Sequence, residues 1–469
     1  MIGEYRADGT KSNWHYRWSN VDGESYKLEK NVLGFSTETE VYDAHDRMIK
    51  KITSGMNDEN IFEDIVYNRR GLIVKRSVPH YKDGSVIWND FQYDVLGRLI
   101  STKKSDGVNE VMTEFTYQGQ ETTEINPLGN TKVTERDVLG RIITVTDAKG
   151  GQSKYKYDPV GNILEVTNPS GLKIIMTYDL MGQKRTLDDP QMGKWGYKHN
   201  AFGELIWQKD ANGDETSQKF DKLGRKIVKK NKDGISTWTY DGKNAIGKLS
   251  LEKSPDGMEK KWNYDIFGRE HTVLTIVGKE KFEIENTYDD FGRLIVQKFP
   301  NGREVHRCYD ENGYLLRVQQ YKCSIRISFF WQAQQYDALG RVTEEKHGNG
   351  IETVYSYNFA DDLIQIRSKG KDGKITLRNV QYQYDKNHNL KKRIKSNMGH
   401  ETIETFRYDS LDRLLRGSLQ AHDGKFGMTE TWGYDASGNI IYDNKFGQRH
   451  FIYDENKPHA VKTLKDFGT

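Results

Sequence analysis

Cysteine is nearly absent. Cys308 and Cys323 are the two in 469 residues, too few for a disulfide framework in a chain this long and, as thiols alone, too few for a structural zinc site. They flank one hairpin and could face each other across strands, but buried free thiols are the expected state, and they assign no compartment. Net charge is also small: 71 basic against 68 acidic residues leave +3, with both signs interleaved throughout. Proteins that bind nucleic acid concentrate positive charge on one face, so no nucleic-acid partner is expected. No long apolar run occurs either. The cluster around Ile327-Ser328-Phe329-Phe330-Trp331 falls far short of the ~20 residues of a membrane span, so no span is expected. The opening Met1-Ile2-Gly3-Glu4-Tyr5-Arg6-Ala7-Asp8-Gly9 lacks the apolar stretch of a secretory signal, and no signal peptide is visible. Proline numbers 8 against 44 glycines, which calls for many turns at positive φ and few polyproline stretches.

Hydrophobic residues make up 35% of the chain, below the usual share of about 45–50%. Aromatics nevertheless reach 12%, which favours an ordered fold whose core leans on Tyr, Phe and Trp. The dominant feature is self-similarity. Tyr-Asp, two variable residues, then Gly-Arg or Gly-Asn recurs along the chain. The clearest copies are Tyr93-Asp94 with Gly97-Arg98, Tyr157-Asp158 with Gly161, Tyr264-Asp265 with Gly268-Arg269, Tyr288-Asp289 with Gly292-Arg293, Tyr336-Asp337 with Gly340-Arg341, and Tyr434-Asp435 with Gly438. Softer copies begin at Tyr42, Tyr67, Tyr117, Arg136, Tyr178, His199, Phe220, Tyr240, Tyr309, Tyr357, Tyr384, Tyr408 and Tyr453. The mean step is about 23 residues, and it holds at 21 from Arg136 to Phe220. This makes one array, with residues 42–469 as repeats and 1–41 as a degenerate repeat or N-terminal edge.

Asp followed by Gly three residues later signals a type I turn, because the carboxylate accepts a nearby backbone N–H and Gly tolerates positive φ. A Gly-type bulge should follow. The flanks, such as Ser153-Lys154-Tyr155-Lys156-Tyr157 and Ile163-Leu164-Glu165-Val166-Thr167, alternate with period two as strands do. A second turn closes most units, as at Ser105-Asp106-Gly107, Asn168-Pro169-Ser170-Gly171 and Pro255-Asp256-Gly257. The expected fold is all-β: an antiparallel β-hairpin strip whose units pair edge to edge, stack their Tyr residues in rows, and coil.

Recurrence of Tyr-Asp-x-x-Gly-Arg-Leu at this spacing resembles the YD repeats of the RHS family, which includes RHS polymorphic toxins, the B and C components of insecticidal toxin complexes, and teneurins. Tyr453-Asp454-Glu455-Asn456-Lys457-Pro458-His459-Ala460-Val461 also resembles a Pro-His-Ala-Val segment found between such repeats. The resemblance implies a strip that spirals into a hollow shell around a C-terminal toxic polypeptide. It implies a secreted or cell-surface setting within a larger system, with the enclosed polypeptide or remaining shell segments as partners. The resemblance also implies a core segment of Asp-Pro-x-Gly character at the end of the array and a toxin domain beyond it; neither is recognised at the final Lys465-Asp466-Phe467-Gly468-Thr469, so the array is expected to be truncated and no protease residues are carried over.

Chemical readings compete poorly with the structural one. A repeated turn Asp is not a tuned pair of catalytic acids. His400-Glu401-Thr402-Ile403-Glu404 lacks the second His of a zinc motif. Asp210-Ala211-Asn212-Gly213-Asp214 departs from a calcium loop at Glu215 and Asp221, and Gly370-Lys371-Asp372-Gly373-Lys374 is too short for a phosphate cradle. Arg98, Arg141, Arg225, Arg269, Arg293 and Arg341 read as a ladder paired with repeat Asp and Glu side chains. Trp195, Trp207, Trp238 and Trp262 read as core, and otherwise as a sugar-stacking surface. The expectation is therefore a non-catalytic shell segment with no cofactor or metal. The alternative is a module that binds carbohydrate or a target-cell surface.

Overall fold

A computed structural model gives the fold and describes residues 2–5, 11–105, 107, 110–325, 328–373, 375–397, 400–421, 427–445, 448–455 and 457–467. Of the segments singled out above, Met1, Arg6-Ala7-Asp8-Gly9, Asp106, Ile327, Lys374, Asn456 and Gly468-Thr469 lie outside the described residues. Among those described, the chain forms 42 strands in one sheet with antiparallel pairing throughout. The helical content is a single 3-10 turn, Met56–Asp58. Successive strands are neighbours, with one departure: His80–Tyr81 pairs back onto Asn60–Tyr67, and Trp88–Tyr93 then pairs with Ile73–Ser77. The ends do not pair with each other, so the sheet is an open strip.

The period-two pattern appears as burial that alternates along several strands, as in Glu110–Gln118 and Gln152–Tyr157. Few apolar side chains are fully covered. Val41, Ile61, Ile65, Ala245, Ala333 and Val380 are among them, and the tryptophans expected in a core are half-buried. Among the described residues the strands touch the strands they pair with, and no second layer packs on the sheet.

The strip coils back on itself. Arg293 Nη1 donates to the Gly34 carbonyl at 2.8 Å, Asn312 Nδ2 to the Gly55 carbonyl at 2.9 Å, and Tyr81 OH to the Tyr336 carbonyl at 3.0 Å. Lys104 pairs with Asp361 and Lys149 with Asp409, both at 2.7 Å. Asn168 bonds Ser437 at 3.0 Å, and the His459 N–H donates to Gln191 at 3.0 Å. Sequence separation across this seam stays between 254 and 276 residues. One circuit therefore takes that length, and a second, incomplete circuit lies on the first. The polarity is constant: the second circuit supplies its Asp-x-x-Gly turns, and the first supplies mainly its connecting turns.

The thiol expectation is corrected here: Cys308 and Cys323 are joined in a disulfide. Cys308 lies on Glu304–Tyr309, and Cys323 lies in the long connection between Leu315–Gln319 and Trp331–Tyr336. That connection folds back instead of extending the hairpin. The fully buried Gln319 holds it, its amide nitrogen donating to the carbonyls of Tyr321, Lys322 and Ile325 at 2.9, 2.9 and 3.1 Å. Folding back brings Cys323 to the strand beside it, which spacing alone does not reveal.

Gly34 sits where the circuits meet. Its φ is +78°, and a Cβ built there would overlap the Phe291 ring. Gly23, at φ +79°, has open space around it. Gly23→Ala therefore carries only the left-handed backbone cost of about 1–2 kcal/mol, whereas Gly34→Ala adds overpacking of about 1–3 kcal/mol. Chemical denaturation of both variants checks this, and equal losses would contradict the seam.

Candidate functional site

Most repeats are closed by one construction. In the first clear copy, the Gly97 N–H donates to the Asp94 carbonyl and the Asp94 N–H to the Arg98 carbonyl, both at 3.0 Å. Asp94 Oδ1 accepts the N–H groups of Leu96 and Arg98 at 2.9 Å, and Oδ2 accepts Arg98 Nε at 2.7 Å. Gly97 stands at φ +83°. The pattern recurs at Asp137 with Arg141, Asp265 with Arg269, Asp289 with Arg293, and Asp337 with Arg341. In the Gly-Asn copies the amides of Asn162 and Asn439 take the arginine's place on Asp158 and Asp435, each at 2.7 Å. Gly268, Gly292, Gly340, Gly161 and Gly438 all lie at positive φ. At Asp221, the Arg225 N–H and then its guanidinium hold the carboxyl below the ordinary carboxylate range.

A bulge follows the turn. Tyr288 faces Leu294 while Thr287 faces Val296, so Ile295 is the extra residue. Such a bulge breaks the ladder and leaves a carbonyl without a strand partner. Tyr309, which opens the next repeat, donates its hydroxyl to the Leu294 carbonyl at 3.1 Å. The same bond, at 2.7 to 3.1 Å, is made by Tyr67, Tyr93, Tyr117, Tyr157, Tyr240, Tyr264, Tyr288, Tyr336, Tyr384, Tyr408, Tyr434 and Tyr453. Phe220 has no hydroxyl. Gln218 donates to the corresponding Leu205 carbonyl instead, at 3.3 Å.

Arginine joins neighbouring repeats. Besides its own Asp, each guanidinium lies over the next repeat's Tyr: Arg98 over Tyr117 at 4.3 Å, Arg141 over Tyr157 at 4.9 Å, Arg225 over Tyr240 and Arg269 over Tyr288 at 4.6 Å, and Arg341 over Tyr357 at 3.8 Å. Arg293 stacks on Tyr309, donates to the Asp310 carbonyl at 3.0 Å, and reaches across the seam to Gly34. The expected pairing with acids holds at each arginine's own Asp and, for Arg225, also at Asp241 of the next repeat at 2.9 and 2.6 Å, with Tyr rings added to the chain; among the described residues, stacked Tyr pairs occur at Tyr16, Tyr26 and Tyr42. A cation between rings is attracted to both faces, whereas neighbouring rings alone gain less. Tyr314 shows the rule by departing from it: it stands where Arg is usual and packs edge-on against Tyr336 at 5.0 Å, and Asp310 Oδ2 has no partner.

Solved structures share this architecture. A TcdB2–TccC3 complex superposes with a TM-score of 0.78 at 15% identity over 96% of this chain and 28% of that one. The Photorhabdus luminescens Tc holotoxin pore gives 0.75 at 16% identity over 96% of this chain and 27% of its own. The likeness is one of fold, a coiled strip of β-hairpins. No family model matches it. Over 121 residues it is 28% identical to toxin subunit YenC1 of Yersinia entomophaga, covering 25% of this chain and 12% of that subunit. Over 198 residues it is 26% identical to double-stranded DNA deaminase toxin A of Burkholderia cenocepacia, covering 41% of this chain and 13% of the toxin. The chain thus spans a small part of these relatives.

The other candidate residues of the YD array stay apart. Glu404 pairs with Arg393 at 2.5 Å and Lys395 at 3.0 Å rather than with His400. Asp210 Oδ1 caps its own turn, accepting the N–H groups of Asn212 and Asp214. The Gly373 N–H donates to the Gly370 carbonyl in an ordinary turn. No group of three or more His, Cys, Asp or Glu able to hold a metal occurs among the described residues. Lysines cover three of the four tryptophans singled out: Lys198 lies over Trp207 at 4.7 Å, Lys226 over Trp238 at 4.4 Å, and Lys260 over Trp262 at 5.0 Å, while Trp195 stacks on Tyr197 at 6.3 Å.

Tyr309→Phe leaves the Leu294 carbonyl unsatisfied and is expected to cost about 1–2 kcal/mol. Tyr178→Phe removes only a hydroxyl that reaches Met176 Sδ at 3.6 Å and should be near neutral. Equilibrium denaturation compares the two.

Asp409 reports the seam. Burial disfavours its charge, but Lys149, the Arg413 guanidinium, and the N–H groups of Arg413 and Leu411 outweigh that and hold its carboxyl far below the ordinary range. A depressed carboxyl stabilises the fold above the ordinary value of about 3.9 and loses that contribution as pH falls below it. Thermal unfolding between about pH 5 and pH 2 should therefore fall more steeply for the wild type than for Asp409→Asn. Parallel curves would contradict the assignment.

Proposed function

We propose that this chain is a wall segment of an RHS-type toxin shell, without catalysis of its own, that encloses a toxin or other cargo polypeptide. The observation that carries the reading is the coil itself. A single-layer strip that returns to its own edge after 254 to 276 residues, with no layer packed inside it, surrounds a space. The Tc complexes with the same architecture support the toxin-shell role, and the deaminase activity in one relative's name belongs to that protein. A wall works by exclusion and needs only continuity, which the Tyr, Asp, Gly and Arg anchors supply repeat by repeat. Residues 42–469 act as one array with 1–41 as its edge. The Cys308–Cys323 disulfide fits an oxidising, secreted or cell-surface setting.

The carbohydrate-binding alternative draws less support. It needs open aromatic faces, and of the four tryptophans in the Trp195 to Trp262 stretch three lie beneath lysines.

Electron microscopy of the purified chain, alone and co-expressed with the polypeptide encoded downstream, tests the proposal. A hollow, curved, single-layer wall with protease-protected density inside is expected. A solid rod or filled globule would overturn it.

A further inference from the structure

One joint of the strip departs from the repeat in several ways at once. Between Leu315–Gln319 and Trp331–Tyr336 the ladder holds Arg317 opposite Gln332 and Val318 opposite Trp331, with a further bond at 2.8 Å from the Phe330 N–H to the Val318 carbonyl. The pairing on either side is longer. Glu304–Tyr309 meets Leu315–Gln319 from His306 to Tyr309, and Trp331–Tyr336 meets Val342–His347 from Trp331 to Tyr336.

The hairpin on one side of this joint is also poorly satisfied. Five buried side-chain polar atoms lack a hydrogen-bond partner among the described residues, and Arg307 Nη1, Asp310 Oδ2 and Arg317 Nε, all within residues 304–319, are three of them. A buried polar group without a partner is destabilising until water reaches it. Arg317 stands opposite Gln332 across the joint, so separating the two strands hydrates it and favours the open state there.

What holds the joint closed is the insertion that spans it. Cys323 is bonded to neither strand that the insertion connects but to Cys308, one strand further back. Gln319 holds the same segment through the carbonyls of Tyr321, Lys322 and Ile325. With Cys323 fixed in this way, the segment from 324 to 330 is a short tether that keeps Trp331 beside Val318. Cys308 is buried and Cys323 is exposed. The other end of the joint is fastened independently: Tyr336 OH donates to the Leu315 carbonyl at 2.8 Å, and the Tyr336 carbonyl accepts Tyr81 OH across the seam at 3.0 Å.

We propose that the Cys308–Cys323 disulfide is a redox latch. Intact, it keeps Leu315–Gln319 paired with Trp331–Tyr336; reduced, it lets them part, hinged at the seam end where Tyr336 stays bonded. The reductant is a dithiol. One of its thiolates attacks the sulfur of the exposed Cys323, and Cys308 leaves as a thiolate and takes up a proton. The second thiolate then closes on the reagent's own sulfur in the mixed disulfide, which frees Cys323 as a thiol and leaves the reagent as a disulfide. Two electrons pass from reagent to protein. A wall closed in an oxidising setting and opened in a reducing one follows; that use rests on the shell reading, whereas the parting of the strands does not.

Hydrogen–deuterium exchange of the full chain, read by mass spectrometry, tests this. Reduction should speed exchange in peptides spanning 315–319 and 331–336 on the order of 100-fold, the weight that closing a loop of about this length removes from the open state. Peptides spanning 152–167 should not change. Cys308→Ser with Cys323→Ser should exchange as the reduced wild type does, with or without dithiol and with unchanged circular dichroism. Faster exchange confined to 320–330, a rise in every strand together, or no change on reduction would each overturn the proposal. Microscopy decides the wall and exchange decides the latch, so each can fail without the other.

Discussion

One backbone carbonyl per repeat governs the fold. The Asp-x-x-Gly-Arg turn forces a bulge, the bulge takes a carbonyl out of the ladder, and the next repeat's tyrosine hydroxyl supplies the missing donor. A polar group left unpaired there would cost about 1–3 kcal/mol, so most repeats are completed by their successors. The arginine follows the same logic, held by its own Asp while it stacks on the following Tyr. Stability becomes a sum of neighbour terms, as in other repeat arrays, and 35% hydrophobic residues suffice without a conventional core.

Nearest-neighbour locking fixes the strip; the seam fixes its shape. The bonds across the seam are few, but they hold one offset and one polarity, turn tip against mainly connecting turn. Arg293 belongs to both systems, with bonds to its own repeat, the next repeat and the other circuit. The anchor arginine thereby couples local closure to the coiling that the proposed enclosure requires.

Much of the fold was legible in the sequence because it is local. Tyr-Asp-x-x-Gly at a step of about 23 residues encodes turn, bulge and strand in one heptad, and the type I turn with Gly at positive φ follows from Asp94 and Gly97 alone. What could not be read involves residues far apart in sequence. Nothing at Gly34 announces Phe291, and the meeting of Lys149 with Asp409 depends on how much each repeat twists. The disulfide was missed because an insertion folds back under the control of Gln319, a residue without a motif. The arginine ladder pairs with acids as read, with each arginine's own Asp and, at Arg225, also with Asp241 of the next repeat, but the rings were not foreseen. Charge balance suggests acids, whereas a ring on the following repeat takes the outer face of the guanidinium. Gln218 in place of a hydroxyl at Phe220 is visible only once the carbonyl to be satisfied is known.

The most direct test of the coil is an engineered cross-link over the seam. Ser170 and Ser437 lie 267 residues apart in sequence with their hydroxyls 2.6 Å apart. Ser170→Cys with Ser437→Cys, oxidised at low protein concentration and read by non-reducing electrophoresis with peptide mapping, should give an intramolecular link between positions 170 and 437 in nearly every molecule, in addition to the Cys308–Cys323 disulfide. Cross-links only between molecules, or none, would contradict a strip that coils onto its own edge.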